Sequence, residues 1–273
     1  MSDDFASRLR QIPGLSQDSI DSLVEKVEQV LSYRPKVGVF GKTGAGKSSL
    51  CNAIFGEDVA TVSDVQACTR NPEEYVLNAG RRGIVLLDCP GVGESLQLEQ
   101  KYEDMHAGLL PQLDLVLWLI KADDRATATD EKFFADVVRP HLDCGKPLFV
   151  VISQSDKMEP CREWDMTHSR PGPNQEINLL LKQRELAALF GVRLDRVVSV
   201  SANEKYNIGF LVEQIIGALP NDKKMAVARQ VKPETLSDQA RADAERGFFE
   251  VVGEFMDSVV LALLKPLTWW WKS

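Results

Sequence analysis

The stretch VGVFGKTGAGKSSLCNAIFG, Val37 to Gly56, decides how the rest of the chain is read. It opens on a short apolar run, passes through glycines and ends in apolar residues at helical spacing. Gly41, Gly46, Lys47 and Ser48 match G-x-x-x-x-G-K-[ST], between a predicted strand and a predicted helix as that motif requires. Glycines let backbone N–H groups turn inward around phosphate oxygens, and the next helix N-terminus adds partial positive charge. The candidate phosphate cradle is therefore Gly41, Lys42, Thr43, Gly44, Ala45, Gly46, Lys47, Ser48 and Ser49. Lys47 is expected to reach the terminal phosphates and the Ser48 hydroxyl to ligate Mg²⁺. The loop alone leaves both the base and hydrolysis open.

Outward from this loop, short apolar runs alternate with amphipathic segments as far as Leu219. Predicted strands are Val37–Phe40, Tyr75–Leu77, Ile84–Leu87, Leu115–Ile120, Leu148–Ile152 and Arg196–Val200. Predicted helices are Gly46–Phe55, Leu98–Leu109, Ala128–Leu142, Gln175–Phe190 and Gly209–Leu219. Continuous apolar strands alternating with helices imply an α/β fold: a P-loop NTPase whose mostly parallel, doubly wound sheet is buried on both faces. Residues 36–219 form this domain. Residues 1–35 precede it as a helical segment, capped by Ser16 and stopped by Pro35. Residues 220–273 follow as a polar linker, Asn221–Ser237, and an amphipathic helical tail from Ala240 to Leu264. The polar stretch Pro160–Pro173 reads as an extended loop.

Composition sets outer limits. A 273-residue chain that is 44% hydrophobic can bury a core. Its formal net charge of −8 argues against broad electrostatic binding to nucleic acid, which depends on clustered Lys and Arg. The five cysteines are scattered without CxxC pairs, which suits reduced thiols in a cytoplasm. The first residues, MSDDFASRLRQ, lack the apolar core of a secretory signal, and no run of about 20 apolar residues marks a spanning helix. A cytoplasmic location is expected.

A second marker is LLDCPGVGE, where a predicted strand delivers Asp88 to its carboxyl end, the edge at which open α/β sheets bind ligands. There Asp88 would hold Mg²⁺ through water, and the Gly91 N–H would face a γ-phosphate. Together GKTGAGKSS, Thr69 in ACTRNP, DCPG and SQSD resemble the translation-factor (TRAFAC) class of GTPases, and within it the Era-like GTPases of bacteria, prophage or mobile-element branch. The resemblance covers Lys36 to Leu219. It implies GTP as substrate, GDP as product and Mg²⁺ as cofactor, with Thr69 as the switch I threonine ligating the metal.

The base-reading place of that family, [NT]-K-x-D, carries Ser153, Gln154, Ser155 and Asp156 here. Asp156 would accept from guanine N1–H and its exocyclic amine. Ser201 and Ala202 in SVSANE match the element whose backbone N–H meets the guanine oxygen. Ser153 and Gln154 depart from the pattern, and the expectation is that the loop-bracing side chain and the base-packing lysine are lost. Val92 stands where a Ras-like enzyme has the water-orienting glutamine. The resemblance therefore implies a slow GTPase acting as a molecular switch, completed by a protein effector or by homodimerisation through the G domain or the tail. Two alternatives stay open: a nucleotide-gated scaffold with negligible hydrolysis, and a septin-like or dynamin-like membrane assembler.

The second alternative rests on the tail. Phe248, Val252, Phe255, Val259 and Leu263 share one helical stripe, followed by Trp269, Trp270 and Trp271 between Lys265 and Lys272. A helix packed on the domain explains the stripe. The tryptophans suit peripheral contact with the inner face of a membrane. The tail has neither the basic excess nor the G-x-x-G loop of an RNA-binding KH module, so RNA or ribosome binding finds no support there.

Overall fold

The computed structural model describes residues 10, 16–56, 76–79, 84–88, 110–124, 131–132, 134–142 and 146–253. Its centre is a six-stranded sheet in the order β2-β3-β1-β4-β5-β6. The strands are β1 (Lys36–Gly41), β2 (Val76–Ala79), β3 (Ile84–Asp88), β4 (Leu115–Lys121), β5 (Leu148–Ser153) and β6 (Val197–Ser199). Every pairing is parallel except that of β2 with β3. This is the mostly parallel sheet that the apolar runs predict. Strand period sends alternate residues to opposite faces. Val37, Val39, Leu115, Leu117, Leu119, Phe149 and Val151 enter one hydrophobic cluster. Phe40, Val116, Trp118, Ile120, Val150 and Ile152 enter the other.

Helices cover both faces. On one lie α1 (Gln17–Ser32), α2 (Lys47–Phe55) and α5 (Ile208–Ala218), whose buried residues join the first cluster. The Ser16 hydroxyl caps α1 by accepting from Ser19 N at 3.2 Å. On the other lie α3 (Arg139–Leu142), entered through a π-helical turn at Phe134–Val138, and α4 (Pro173–Phe190). Trp118 is the hub of this second face. It stacks on Phe40 with centroids 5.5 Å apart and meets Phe134 edge-on at 5.5 Å.

The stretch read as a polar linker is folded. Asn221–Ala228 forms α6, with Pro220 before its first turn and Met225, Ala226, Val227 and Ala228 buried. Of the polar half NDKK only Asp222 is exposed, while all four residues of the apolar half MAVA are buried, so average polarity concealed a helix. It is followed by α7 (Asp238–Gly253), where Ala240, Ala244, Phe248 and Val252 bury a stripe at four-residue spacing. These residues belong to the same cluster as Val37 and Val39 of β1. Polar bonds add to this by fastening α6 to the start of β1. Asp114, 5% exposed, accepts from Tyr33 Oη at 2.9 Å, from Lys36 N at 2.9 Å and from Lys223 Nζ of α6.

The expected loop Pro160–Pro173 contains more order than its composition suggests. A 3₁₀ turn at Cys161–Glu163 leads to buried Trp164, and an antiparallel bridge pairs Asp165 with Arg170. The predicted helix Leu98–Leu109 and the tail beyond Gly253, tryptophans included, lie outside the described residues.

Candidate nucleotide-binding site

The carboxyl ends of β1, β4, β5 and β6 bring the candidate residues to one edge of the sheet. After β1 the chain turns through Gly41, Gly44 and Gly46 at φ of 145°, 77° and 84°, a backbone that side-chain-bearing residues rarely adopt. At Gly41 there is also no room: a Cβ would sit 2.6 Å from the Leu119 carbonyl oxygen. Ala45 N donates to Lys42 O at 3.0 Å and closes the turn, and Lys47 opens α2. Lys47 Nζ lies back over the loop, donating to Gly41 O at 2.9 Å and Lys42 O at 3.4 Å. The ammonium is therefore already positioned above the cradle. Thr43 and Ser49 are exposed, and Ser48 is half-buried in the first turn of α2.

The base loop leans directly on the phosphate loop. Ser153 Oγ donates to Ala45 O at 2.7 Å, and Gln154 Nε2 donates to Gly44 O at 2.8 Å. The brace expected to be missing is present in different chemistry, because a hydroxyl and an amide reach the loop carbonyls from this backbone position. Gln154 adopts a left-handed conformation, φ 55°, and its Oε1 accepts from Lys157 Nζ at 2.7 Å. Asp156 Oδ1 is buried and has no hydrogen-bond partner among the described residues. A buried carboxylate oxygen without a donor is costly, and a ligand N–H would satisfy it. Ser155 N donates to Val200 O at 3.0 Å, which joins this loop to the strand end carrying Ser201 and Ala202.

For the metal, Asp88 ends β3 in register with Val39 of β1, at the same sheet edge as Ser48. Hydroxyl and carboxylate oxygens are the hard donors that Mg²⁺ takes, so this donor set fits it. Thr69 and Gly91 lie outside the described residues.

Comparison with known proteins agrees with this geometry. The family model described as a 50S ribosome-binding GTPase matches residues 36–154. The uncharacterized protein YkfA of Escherichia coli K12 is 39% identical over 97% of this chain and 90% of its own length. Its counterpart YfjP from the same organism is 39% identical over 90% of this chain and 83% of its own. GTPase Era of Alkaliphilus metalliredigens is 31% identical over 70% of this chain and 58% of that protein.

The chain belongs to the Era-like GTPases. Its P-loop domain is thus one of a GTP-binding family, and further contacts buttress the site. Lys182 of α4 donates to Lys121 O and Ala122 O, both at 2.9 Å, and to Asp124 O at 2.5 Å. Asp124 in turn pairs with Lys42 of the phosphate loop at 3.2 Å. Burial of Lys182 disfavours its charge and lowers its pKa, against the pull of Asp124. Gln175, fully buried, donates to Met158 O at 2.7 Å and accepts from Gly172 N at 3.0 Å, fixing the segment behind Asp156. Trp164 meets Tyr206 edge-on at 5.5 Å and so ties Pro160–Pro173 to the Ser201 turn. No sequence motif marks Lys182 or Gln175, because each acts on backbone carbonyls distant in the chain.

Proposed function

We propose that this Era-like GTPase binds guanine nucleotides with Mg²⁺, hydrolyses GTP slowly to GDP and phosphate, and acts as a nucleotide-dependent switch. The observation that carries it is the junction of the two loops. Ser153 and Gln154 hold the phosphate loop by its own carbonyls, and next to them Asp156 keeps a buried oxygen that a guanine N1–H or amine would satisfy. In this reading the backbone N–H groups from Thr43 to Ser48 cradle phosphates and Lys47 neutralises them. The Ser201–Ala202 turn meets the guanine oxygen. Ser48 and Thr69 would hold Mg²⁺ directly, and Asp88 through water. When bound, the ion supplies charge neutralisation between the β- and γ-phosphates.

Hydrolysis needs a water aligned on the γ-phosphate. Val92 offers no hydrogen bond for that task, so turnover of the isolated chain is expected on the order of 10⁻³ s⁻¹ or slower. Segments around Thr69 and Gly91 would order on the γ-phosphate and relax on its loss, as GTPase switches do. The net charge of −8 favours a protein effector over an RNA one.

The test is calorimetric titration of GTP, GDP and ATP with Mg²⁺ into the chain and into Asp156→Ala, with phosphate release followed in parallel. Guanine-selective binding is expected, lost by roughly 100-fold in the variant, a scale consistent with two charge-assisted hydrogen bonds. Equal affinity for ATP and GTP would overturn the base assignment. Phosphate release indistinguishable from buffer at every protein concentration would overturn hydrolysis.

A further inference from the structure

At the end of the sheet away from the nucleotide site, the starts of β5 and β6 and the end of α4 enclose a half-open cleft of about 500 Å³. Leu148 at the start of β5 lines it, whereas Ser153 at the other end of the strand braces the phosphate loop. At ~3.3 Å per residue the two sites are about 17 Å apart. The chain carries a net charge of −8, yet among the described residues the charged ones lining this cleft are Arg139, Lys146, Arg193 and Arg196, with no acid beside them.

These cations are held in place. Arg139 Nη2 donates to Phe190 O at 2.8 Å, at the end of α4. Gly191, at φ 59°, leaves the space: a Cβ there would lie 2.4 Å from that same nitrogen. Lys146 Nζ donates to Leu110 O. The Arg196 guanidinium sits 4.8 Å above the Phe149 ring, and its Nη1 is buried without a hydrogen-bond partner among the described residues. Arg139 and Arg193 are exposed, and Arg193 pairs with Asp195 at 2.7 Å. Phe134, Phe190, Leu148 and Val192 supply the apolar wall.

Fixed guanidiniums with donors to spare recognise planar or tetrahedral oxyanions, and an apolar wall selects what the anion is attached to. The volume is that of a small-molecule site. We infer that this cleft is a second ligand site, distinct from the nucleotide site, for a small amphiphilic anion: one phosphate or carboxylate head on a compact apolar body. Arg196 and Arg139 hold the head, with Lys146 and Arg193 at the rim, while Phe134, Phe190 and Val192 contact the body.

The test uses the full chain with and without saturating GDP and Mg²⁺, and 1-naphthyl phosphate, 1-naphthoate, 1-naphthol and inorganic phosphate as probes. Saturable calorimetric binding of naphthyl phosphate, unchanged by GDP and mapped by amide shifts to Leu148, Val192 and Arg196, is the expected result. Naphthoate binding alongside it assigns the site to oxyanions in general; its failure restricts the head to phosphate. Arg196→Gln should weaken binding at least tenfold. Arg193→Gln, at an exposed position, should weaken it two- to fivefold and keeps the test open if the Arg196 variant does not fold. Naphthol binding as tightly as the anions, inorganic phosphate binding as tightly as naphthyl phosphate, competition by GDP, or no saturation at millimolar probe would each overturn the inference. Because the GDP-free arm stands alone, its outcome is separate from that of the guanine-nucleotide reading.

Discussion

The phosphate loop and the base loop press against each other, yet they keep their shapes by different means. The first is shaped by backbone: Gly41, Gly44 and Gly46 take left-handed or otherwise glycine-favoured conformations, and Ala45 N closes the turn on Lys42 O. The second is shaped by side chains. Gln154 is left-handed without being glycine, and Ser153, Ser155 and Gln175 fix the loop by hydrogen bonds to carbonyls. A backbone-made loop admits little change at its glycines. A loop made by side chains can change the identity of its braces while the braced carbonyls stay the same.

The strongest blow to the backbone-made side is Gly41→Ala. The new Cβ meets the Leu119 carbonyl at 2.6 Å and the φ of 145° is strained for alanine, so both sterics and backbone oppose it. A stability loss of roughly 3 kcal/mol is expected by denaturant unfolding, at the upper end for single substitutions. Nucleotide binding should fall with it. A variant as stable as the parent would show that glycine is not what shapes the loop.

Next in size is Ser153→Ala, on the other side of the contrast. It removes the donor to Ala45 O in a buried setting, and an orphaned buried acceptor costs about 1–3 kcal/mol. GDP affinity should drop about tenfold, the equivalent of about 1.4 kcal/mol. Ser153→Thr keeps the hydroxyl and should retain most of the affinity. If alanine and threonine behave alike, the brace is a contact without consequence.

The same contrast explains what the sequence disclosed. The cradle was legible because glycines and Lys47 at fixed spacing state a backbone requirement directly, and the apolar strand runs state burial on both faces. The Ser153–Gln154 brace was not legible. A pattern match registers two departures, whereas the carbonyls of Gly44 and Ala45 that receive the bonds have no side-chain signature. Likewise NDKKMAVA looks like a linker after Pro220, since its apolar residues show their role only when Met225 and Val227 enter the core alongside Phe248. Lys182 carries no signal in the sequence, since its ammonium is placed by three carbonyls at the end of β4 and in the turn after it.

A finer test of brace chemistry is Gln154→Ala against Gln154→Lys. Alanine loses the 2.8 Å bond to Gly44 O at an exposed position, so a three- to fivefold loss of GDP affinity is expected, about 0.5–1 kcal/mol. Lysine can restore a donor to Gly44 O but brings a second ammonium beside Lys157, which now bonds Gln154 Oε1. Binding by the lysine variant should lie between alanine and the parent, and should approach the parent as salt screens the repulsion. Salt-independent binding by both variants would mean that Gln154 braces nothing.

The smallest effect falls at the outer flank of the base loop, where side chains again make the turn. Asp165 accepts from Thr167 N at 3.0 Å and His168 N at 3.1 Å, and lies 2.8 Å from His168 Nδ1. The hydrogen bond with His168 is the main reason its pKa falls from 3.8 to about 2. A carboxyl whose folded pKa is depressed stabilises the fold fully above its unfolded value and loses that contribution as pH falls through the folded one. The turn should therefore hold at neutral pH and loosen between about pH 4 and pH 2. In ¹H–¹⁵N spectra the Thr167 and His168 amides should titrate with a midpoint near 2, and Asp165→Asn should abolish that titration while leaving GDP affinity within twofold. A midpoint near 4 would show that the side chain does not hold this turn, and the contrast would then stop at the base loop itself.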